Sequence, residues 1–356
     1  MSFNLRTRKK NIILILAMTF ILVFACGCGK KDKGETKEEV KGTVVFQYGD
    51  NIVTKGEVYV YAMTIKERYE TQYGEEVWEL TPSQSEDETV TMEDVVREEV
   101  INEIIKIKTL VAHAEDYNVR LTEAKEAELD ALATEFYEGL TDEDISTMEI
   151  DQEKILKVLR ENTIATYVEE ALLDDNPIEI SDEKARMTTF YDMYFHCYSI
   201  DENGVIVPYN AEEKNIQYQN ALQACSTLAT ANIDENEDAE NIENLAEYYK
   251  LTQADEYTMT PENILETYGE EVYNMLYSMN NGDYSTVVET EYGYHVFQMI
   301  ALTDKKATQS RKETMTDEAI ETHLAETLGK WQNKIDPEFV YPESVDMDVY
   351  NTIKFN

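Results

Sequence analysis

Val96, Val100, Ile104, Ile107 and Val111 recur at three- and four-residue spacing, the interval that lines apolar side chains along one face of an α-helix. A similar stripe, Ile155, Leu159, Ile164, Val168 and Leu172, runs between Gln152 and Leu173, and another amphipathic segment spans Ala124 to Tyr137. Such stripes are buried only when helices pack on one another, so this half of the chain reads as helical. Thr91 with Asp94, and Thr54 with Glu57, read as capping boxes that start helices. Ahead of them Val44, Val45, Phe46 and Tyr48 make a short strand, turned by Gly49-Asp50-Asn51. The acidic, Ser/Thr-rich stretch between Gly74 and Thr91 reads as an exposed loop.

Pro177 and Ile178-Glu179-Ile180 mark a boundary, after which Ser181 reads as the cap of a short helix. The texture then changes. Met193 to Ile200 (MYFHCYSI) is aromatic and β-favouring, and Tyr294 to Ala301 (YHVFQMIA) alternates, so both read as strands. Between them lie helices at Glu212–Ala229, at Asn241–Tyr249 and from Pro261, a favourable first helical residue, to Met279. The acidic run Asp234 to Glu240 reads as a loop, Gly282-Asp283 as a turn and Tyr284 to Glu289 as extended chain. Strand, helices, strand is an α+β pattern. A tail helix, Asp317 to Lys334, and an apolar strand-like piece, Val349 to Phe355, complete the chain.

The charge balance limits the partners. With 31 Lys+Arg against 73 Asp+Glu the net charge is −42, which excludes a protein that coats nucleic acid, because phosphate contacts need clustered cations. The four cysteines lack the spacing of a zinc site or a disulfide scaffold, so no metal or cofactor is expected. Cys197 and Cys225 read as small apolar core residues, with a disulfide as the alternative, and His113 and His323 as ordinary helix residues.

At the N-terminus Arg6, Arg8, Lys9 and Lys10 precede an uncharged apolar run from Ile12 to Ala25, the layout of a secretory signal peptide. The run is shorter than the roughly 20 residues of a spanning helix. Its end, Val23-Phe24-Ala25-Cys26, resembles the bacterial lipobox, which would place a lipid on Cys26; Cys28 is the second choice, and an uncleaved anchor is the alternative. Residues 1–25 then read as signal peptide and 26–42 as a flexible, charged tether. The expected location is the extracytoplasmic face of a bacterial cell membrane, held by the lipid anchor.

The segment Gly282-Asp283-Tyr284-Ser285 through Val287, Thr290-Glu291-Tyr292-Gly293-Tyr294-His295 and Val296 resembles the closing motif of parvulin-type peptidyl-prolyl isomerases. Leu276-Tyr277-Ser278-Met279 fills the slot of that family's Ala-Phe-Ser-Leu, and Phe195-His196-Cys197-Tyr198 stands where its opening His-bearing strand belongs. The whole arrangement is similar to the PrsA-type foldase lipoproteins, and the strand, turn and Thr-x-x-Glu at Thr54 are similar to the start of a SurA-like chaperone domain. The resemblance implies a helical chaperone-like domain over 43–183, an inserted parvulin-like domain over 184–304, and a tail, 305–356, whose helix and strand return to the first domain.

It also implies a site: His196 and His295 as paired imidazoles on neighbouring strands, with Thr290 beside them, and Tyr268, Val272, Met279 and Phe297 binding substrate. Tyr268 and Val272 stand where the family favours Met and Phe. Its Gly-Gly-Asp-Leu-Gly segment has no counterpart in Tyr249–Thr258, and its mid-domain Cys or Asp falls near Leu251 or Thr252, with Asp255 and Glu256 close in sequence. The implied activity is cis-trans isomerisation of X-Pro bonds in unfolded or newly exported polypeptides. The alternative is a non-catalytic holdase with a degenerate parvulin domain, in which the two histidines are core residues satisfying each other. A solute-binding lipoprotein is disfavoured, because repeated βα units are not seen.

Overall fold

The computed structural model describes residues 41–84, 89–231, 246, 248 and 254–355. The signal peptide, Cys26 and nearly all of the tether lie outside the described residues, as do the loop Asp234–Glu240 and all of the helix read at Asn241–Tyr249 except Ala246 and Tyr248. The chain forms two compact units, one made of residues up to Pro177 together with those from Thr322 onward, the other of Ile178–Glu321. Among the described residues, no helix is long and apolar enough to cross a membrane.

The first unit opens with a hairpin of β1 (Val44–Tyr48) and β2 (Asn51–Thr54). It continues through α1 (Lys55–Tyr73), the short antiparallel pair β3 (Ser83–Gln84) and β4 (Thr89–Val90), α2 (Met92–Ala112), α3 (Glu123–Glu138), α4 (Asp142–Thr147) and α5 (Gln152–Asp175). The stripe of α2 is buried, with Val96, Val100 and Ile104 fully covered, and Thr91 and Asp94 form the capping box at its start. The stretch after Gly74 is more than a loop. Glu75–Glu79 winds into a 3-10 turn that buries Val77.

Glu57 departs from its sequence reading. Thr54 makes no side-chain cap; Glu57 is buried and accepts from the Lys108 ammonium and, at 3.1 Å, from Lys157 Nζ. Lys108, also buried, donates to Glu161 at 2.5 Å. A buried ammonium without carboxylates would be far costlier than one uncapped helix amide, so the carboxylate turns inward.

The second unit is built on a four-stranded antiparallel sheet in the order β8-β5-β10-β9. In chain order, β5 (Thr188–His196) is followed by a separate hairpin of β6 (Tyr198–Ile200) and β7 (Ile206–Pro208), then α6 (Ala211–Ala231), β8 (Ala254–Met259), α7 (Pro261–Ser278), β9 (Val288–Thr290) and β10 (Gly293–Ala301). The strand expected from Met193 to Ile200 is therefore two strands, and the helix expected after Ser181 is a turn in which Ser181 Oγ accepts from Lys184 N at 3.2 Å.

Strand alternation divides the sheet between two helices. Met193, Phe195 and Val296 point to one face and pack with Ala221, Ala224 and Leu228 of α6. Phe190, Phe297 and Met299 point to the other and pack with Ile264, Val272 and Leu276 of α7. Within α7 the chain breaks at Gly269, whose φ of 80° lies in the region open to glycine.

The tail begins with α8 (Lys305–Ile335), starting twelve residues before the Asp317 expected from sequence, and ends with the single turn α9 (Met347–Tyr350). In the first unit Trp331 stacks on His113 at 3.9 Å, and Phe339 meets Phe46 and Tyr48 edge-on. Val349–Phe355 is not a strand: it is this helical turn followed by irregular chain that buries Ile353 and Phe355. Sheet-like contact is confined to the bridge between Val345 and Phe46, with Asp346 N donating to Val45 O at 2.8 Å.

Arg97 explains the irregular path. Its buried guanidinium donates to the carbonyls of Tyr350 (3.2 Å) and Ile353 (2.7 Å), pairs with Glu93 and lies over the rings of Tyr350 and Phe355. Arg97→Met keeps the apolar stem but leaves two carbonyls without that donor. The expected loss is about 2 kcal/mol of first-unit stability, read as a lower urea midpoint with an unchanged slope.

Candidate functional site

α7 covers only part of its sheet face. From the covered end to the open end the cross-strand pairs on that face are Phe297 with Asp192, His295 with Tyr194, and Gly293 with His196. The series passes from core to a partly open edge, since Phe297 is fully buried, Asp192 and His295 are 4 and 6 % exposed, and Tyr194 and His196 are half-buried.

His295 is held at both ring nitrogens. Nδ1 lies 2.9 and 3.0 Å from the two Asp192 oxygens, and Nε2 lies 3.0 Å from Thr290 Oγ1. A carboxylate only accepts, so Asp192 accepts a hydrogen bond from a protonated Nδ1; with Nε2 then unprotonated, the Thr290 hydroxyl, which also reaches Gly293 O at 3.3 Å, is its donor. Tyr268 donates its hydroxyl to Asp192 Oδ2 at 3.2 Å, giving the buried carboxylate a second donor. Flat rings complete the frame: Tyr194 stacks on the imidazole at 4.2 Å and 5°, Phe297 lies parallel at 5.5 Å, and Tyr268 approaches edge-on at 6.1 Å. Burial, reinforced by Asp192, raises the Tyr268 hydroxyl well above the usual phenol range, so it remains a donor.

His196 is placed differently from its expected pairing. Both nitrogens of His295 are already engaged by Asp192 and Thr290, and the Tyr194 ring lies 4.2 Å from each imidazole. His196 Nδ1 is buried without a hydrogen-bond partner among the described residues. Burial, and then the neighbouring His295, lower its pKa, while Asp192 acts weakly in the opposite sense. The sign of the pH dependence follows. The unfolded chain takes up a proton at His196 near pH 6.5 and the folded chain resists it, so the group costs stability as pH falls below about 6.5. His196→Gln is expected to flatten that limb of the stability profile measured by urea titration across pH.

Of the four residues expected to bind substrate, Val272, Met279 and Phe297 are core residues, 2, 7 and 0 % exposed. Alternation and helical period aim them into the packing between sheet and helix. Tyr268 alone of the four reaches the open part, because the break at Gly269 ends the first stretch of α7 beside Asp192.

Sequence reasoning missed Asp192 and Tyr194. The signal available was their spacing: Asp192, Tyr194 and His196 are two apart on one strand, hence on one face, and Asp192 is an acid in an otherwise aromatic and apolar run. The acids considered earlier lie on the neighbouring edge strand β8, where Asp255 is the register partner of Asp192 and Glu256 that of Tyr191.

No protein-family model matches the chain. A foldase protein PrsA from Caldanaerobacter subterraneus subsp. tengcongensis is 22 % identical over 303 residues, covering 83 % of this chain and 84 % of that protein. The chain resembles the PrsA foldases over most of its length. The crystal structure of PrsA from Bacillus subtilis aligns at 14 % identity with a TM-score of 0.23, covering 76 % of this chain and 97 % of that one. PrsA from Streptococcus pneumoniae aligns at 12 % identity with a TM-score of 0.23, covering 77 % and 99 %. This PrsA-like chain is an α+β protein, mixed helix and sheet. In it the acid beside His295 comes from β5, the strand next to β8, which carries Asp255 and Glu256.

Proposed function

We propose that the protein is a lipid-anchored extracytoplasmic foldase: a helical chaperone-like unit carries a parvulin-like unit that isomerises X-Pro bonds in newly exported, unfolded polypeptides. The observation that supports this most is the imidazole of His295 fixed between Asp192 and Thr290, one cross-strand pair in from the open end of the sheet face. Rotation about an X-Pro bond meets a barrier of about 18–20 kcal/mol. Lowering it by about 4 kcal/mol accelerates the reaction roughly a thousandfold, and no covalent step is needed.

The twisted transition state has lost amide resonance, so its nitrogen is more basic and its carbonyl less dipolar than in the planar ground state. A half-open, ring-lined site with oriented hydroxyl and imidazole groups favours the twisted form over the planar one. In this reading His295 and Thr290 are the groups nearest the reacting amide. Asp192 is a positioning residue that acts through the His295 tautomer, and Tyr268 lines the approach. His196, on the open side of Tyr194, meets the chain that flanks proline.

The holdase reading draws on a different observation, the burial of Val272, Met279 and Phe297, which leaves no socket among those three for a proline ring. Refolding of a client limited by proline isomerisation separates the two. Wild-type protein is expected to shorten the slow phase of tens of seconds, and His295→Ala to lose that effect while still suppressing client aggregation. Suppression without any change in the slow phase supports the holdase instead. The anchor has its own test: fatty-acid labelling of the protein in a Gram-positive host is expected to disappear in Cys26→Ala, and its loss in Cys28→Ala alone would move the acceptor by two residues.

A further inference from the structure

The hairpin β6–β7 leaves the sheet directly after His196, and its pairs are Tyr198 with Pro208, Ser199 with Val207 and Ile200 with Ile206. Successive side chains in a strand face opposite ways, so Tyr198, Ile200, Ile206 and Pro208 share one face. Among the described residues none of them belongs to a core cluster, and Ile200 and Ile206 are 65 and 51 % exposed. The hairpin is braced as an arm: Asp201 Oδ1 accepts from the amides of Asn203 and Val205, both at 2.8 Å, and Cys197 ties the base to Tyr292 O and Tyr209 N, also at 2.8 Å. Its apolar face begins at the candidate site. The Tyr198 ring meets His196 edge-on at 5.1 Å and Tyr292, itself exposed, at 6.3 Å.

Exposed acids border this path: Asp201 and Glu202 at the tip, Glu289 and Glu291 beside Tyr292. A second copy of a chain with net charge −42 would bring like charge against them. We propose that the Tyr198–Ile200–Ile206–Pro208 face is a docking surface for an extended, apolar client segment flanked by Lys or Arg, continuous with the X-Pro bond at His295. The proposal rests on the foldase reading and names its substrate preference. Apolar contact supplies affinity and the acidic border supplies selection, since opposite charges across a contact fix partner choice more than strength.

The test uses the full chain in nanodiscs of zwitterionic lipid and fluorescence anisotropy of labelled peptides carrying a Leu-rich segment beside one X-Pro bond. Lys-flanked peptide is expected to bind the Ile200→Ser/Ile206→Ser double variant about tenfold more weakly than wild type. Val207→Ser, on the opposite face, is expected to leave binding unchanged. A Glu-flanked peptide is expected to bind wild type more weakly, with the difference shrinking as salt is raised. Isomerisation of a proline tetrapeptide, too short to reach the hairpin, should be equal in wild type and double variant. Unchanged affinity in the double variant, equal loss in Val207→Ser, indifference to peptide charge, or salt-stable dimers that the double variant abolishes while peptide binding persists would each overturn the proposal. Failure of wild type to accelerate the tetrapeptide would count against catalysis alone, because the anisotropy arms still decide the docking surface.

Discussion

Asp192→Ala is expected to lower the stability of the second unit by about 3 kcal/mol and to remove acceleration of X-Pro isomerisation. The carboxylate is buried, and it accepts from His295 Nδ1 and from the Tyr268 hydroxyl. Removing it strands both donors, at about 1–3 kcal/mol for each that stays out of water. Tyr268 is half-buried and regains solvent more readily; His295, 6 % exposed, does not. The imidazole also loses the partner that sets its tautomer. Asp192→Asn separates stability from activity. Its amide oxygen still accepts from Nδ1, and the Tyr268 hydroxyl can turn to accept from the amide nitrogen, so most of the stability should remain while the negative charge behind the imidazole is gone. Urea unfolding checks the first effect and a proline-peptide assay the second. An Asp192→Ala protein as stable as wild type would show that the network does not hold the fold.

Gly293→Ala is expected to cost about 3 kcal/mol or more and to displace β10 from β5 at the site. A Cβ built on Gly293 would lie 2.2 Å from the carbonyl oxygen of Phe195 and 2.7 Å from Tyr194 Cε2. The first obstacle is backbone, which cannot move aside as the end of a flexible side chain can. The strands must part locally, losing cross-strand hydrogen bonds worth about 1 kcal/mol each, and the Tyr194 ring must leave its stack on His295 at an overpacking cost of about 1–3 kcal/mol. The same close approach lets Tyr194, His196 and His295 gather on one face. Near-ultraviolet circular dichroism should report the disturbed ring cluster, and a wild-type spectrum with a wild-type urea midpoint would count against this account.

What was legible in the sequence was local. The stripe of α2, its Thr91 cap and the alternation of β10 each arise from neighbours a few residues apart, and each is found where the spacing placed it. What was not legible depends on partners far along the chain. Glu57 carries the spacing of a capping box, but Lys108, 51 residues on, and Lys157, 100 residues on, decide where its carboxylate points. Val349–Phe355 has β-favouring residues, but Arg97 claims the carbonyls a strand would have used.

The candidate site divides in the same way. Thr290 and His295 are five residues apart and share a motif, so their contact could be read directly. Asp192 lies 103 residues before His295, and a lone acid in a strand carries no mark of the imidazole it will meet. Val272, Met279 and Phe297 were assigned from the family resemblance, and the packing between α7 and the sheet turns them inward.

The central claim is that His295, oriented by Asp192, lowers the barrier to X-Pro rotation. Its most direct test is the rate of cis-trans exchange in a proline tetrapeptide, measured by NMR with full-length wild type, His295→Ala and Asp192→Asn at equal concentration. The account predicts acceleration by wild type, loss of at least about tenfold, some 1.4 kcal/mol of transition-state stabilisation, in both variants, and a folded spectrum for Asp192→Asn. Exchange at the uncatalysed rate with wild type, or at the wild-type rate with His295→Ala, would contradict it.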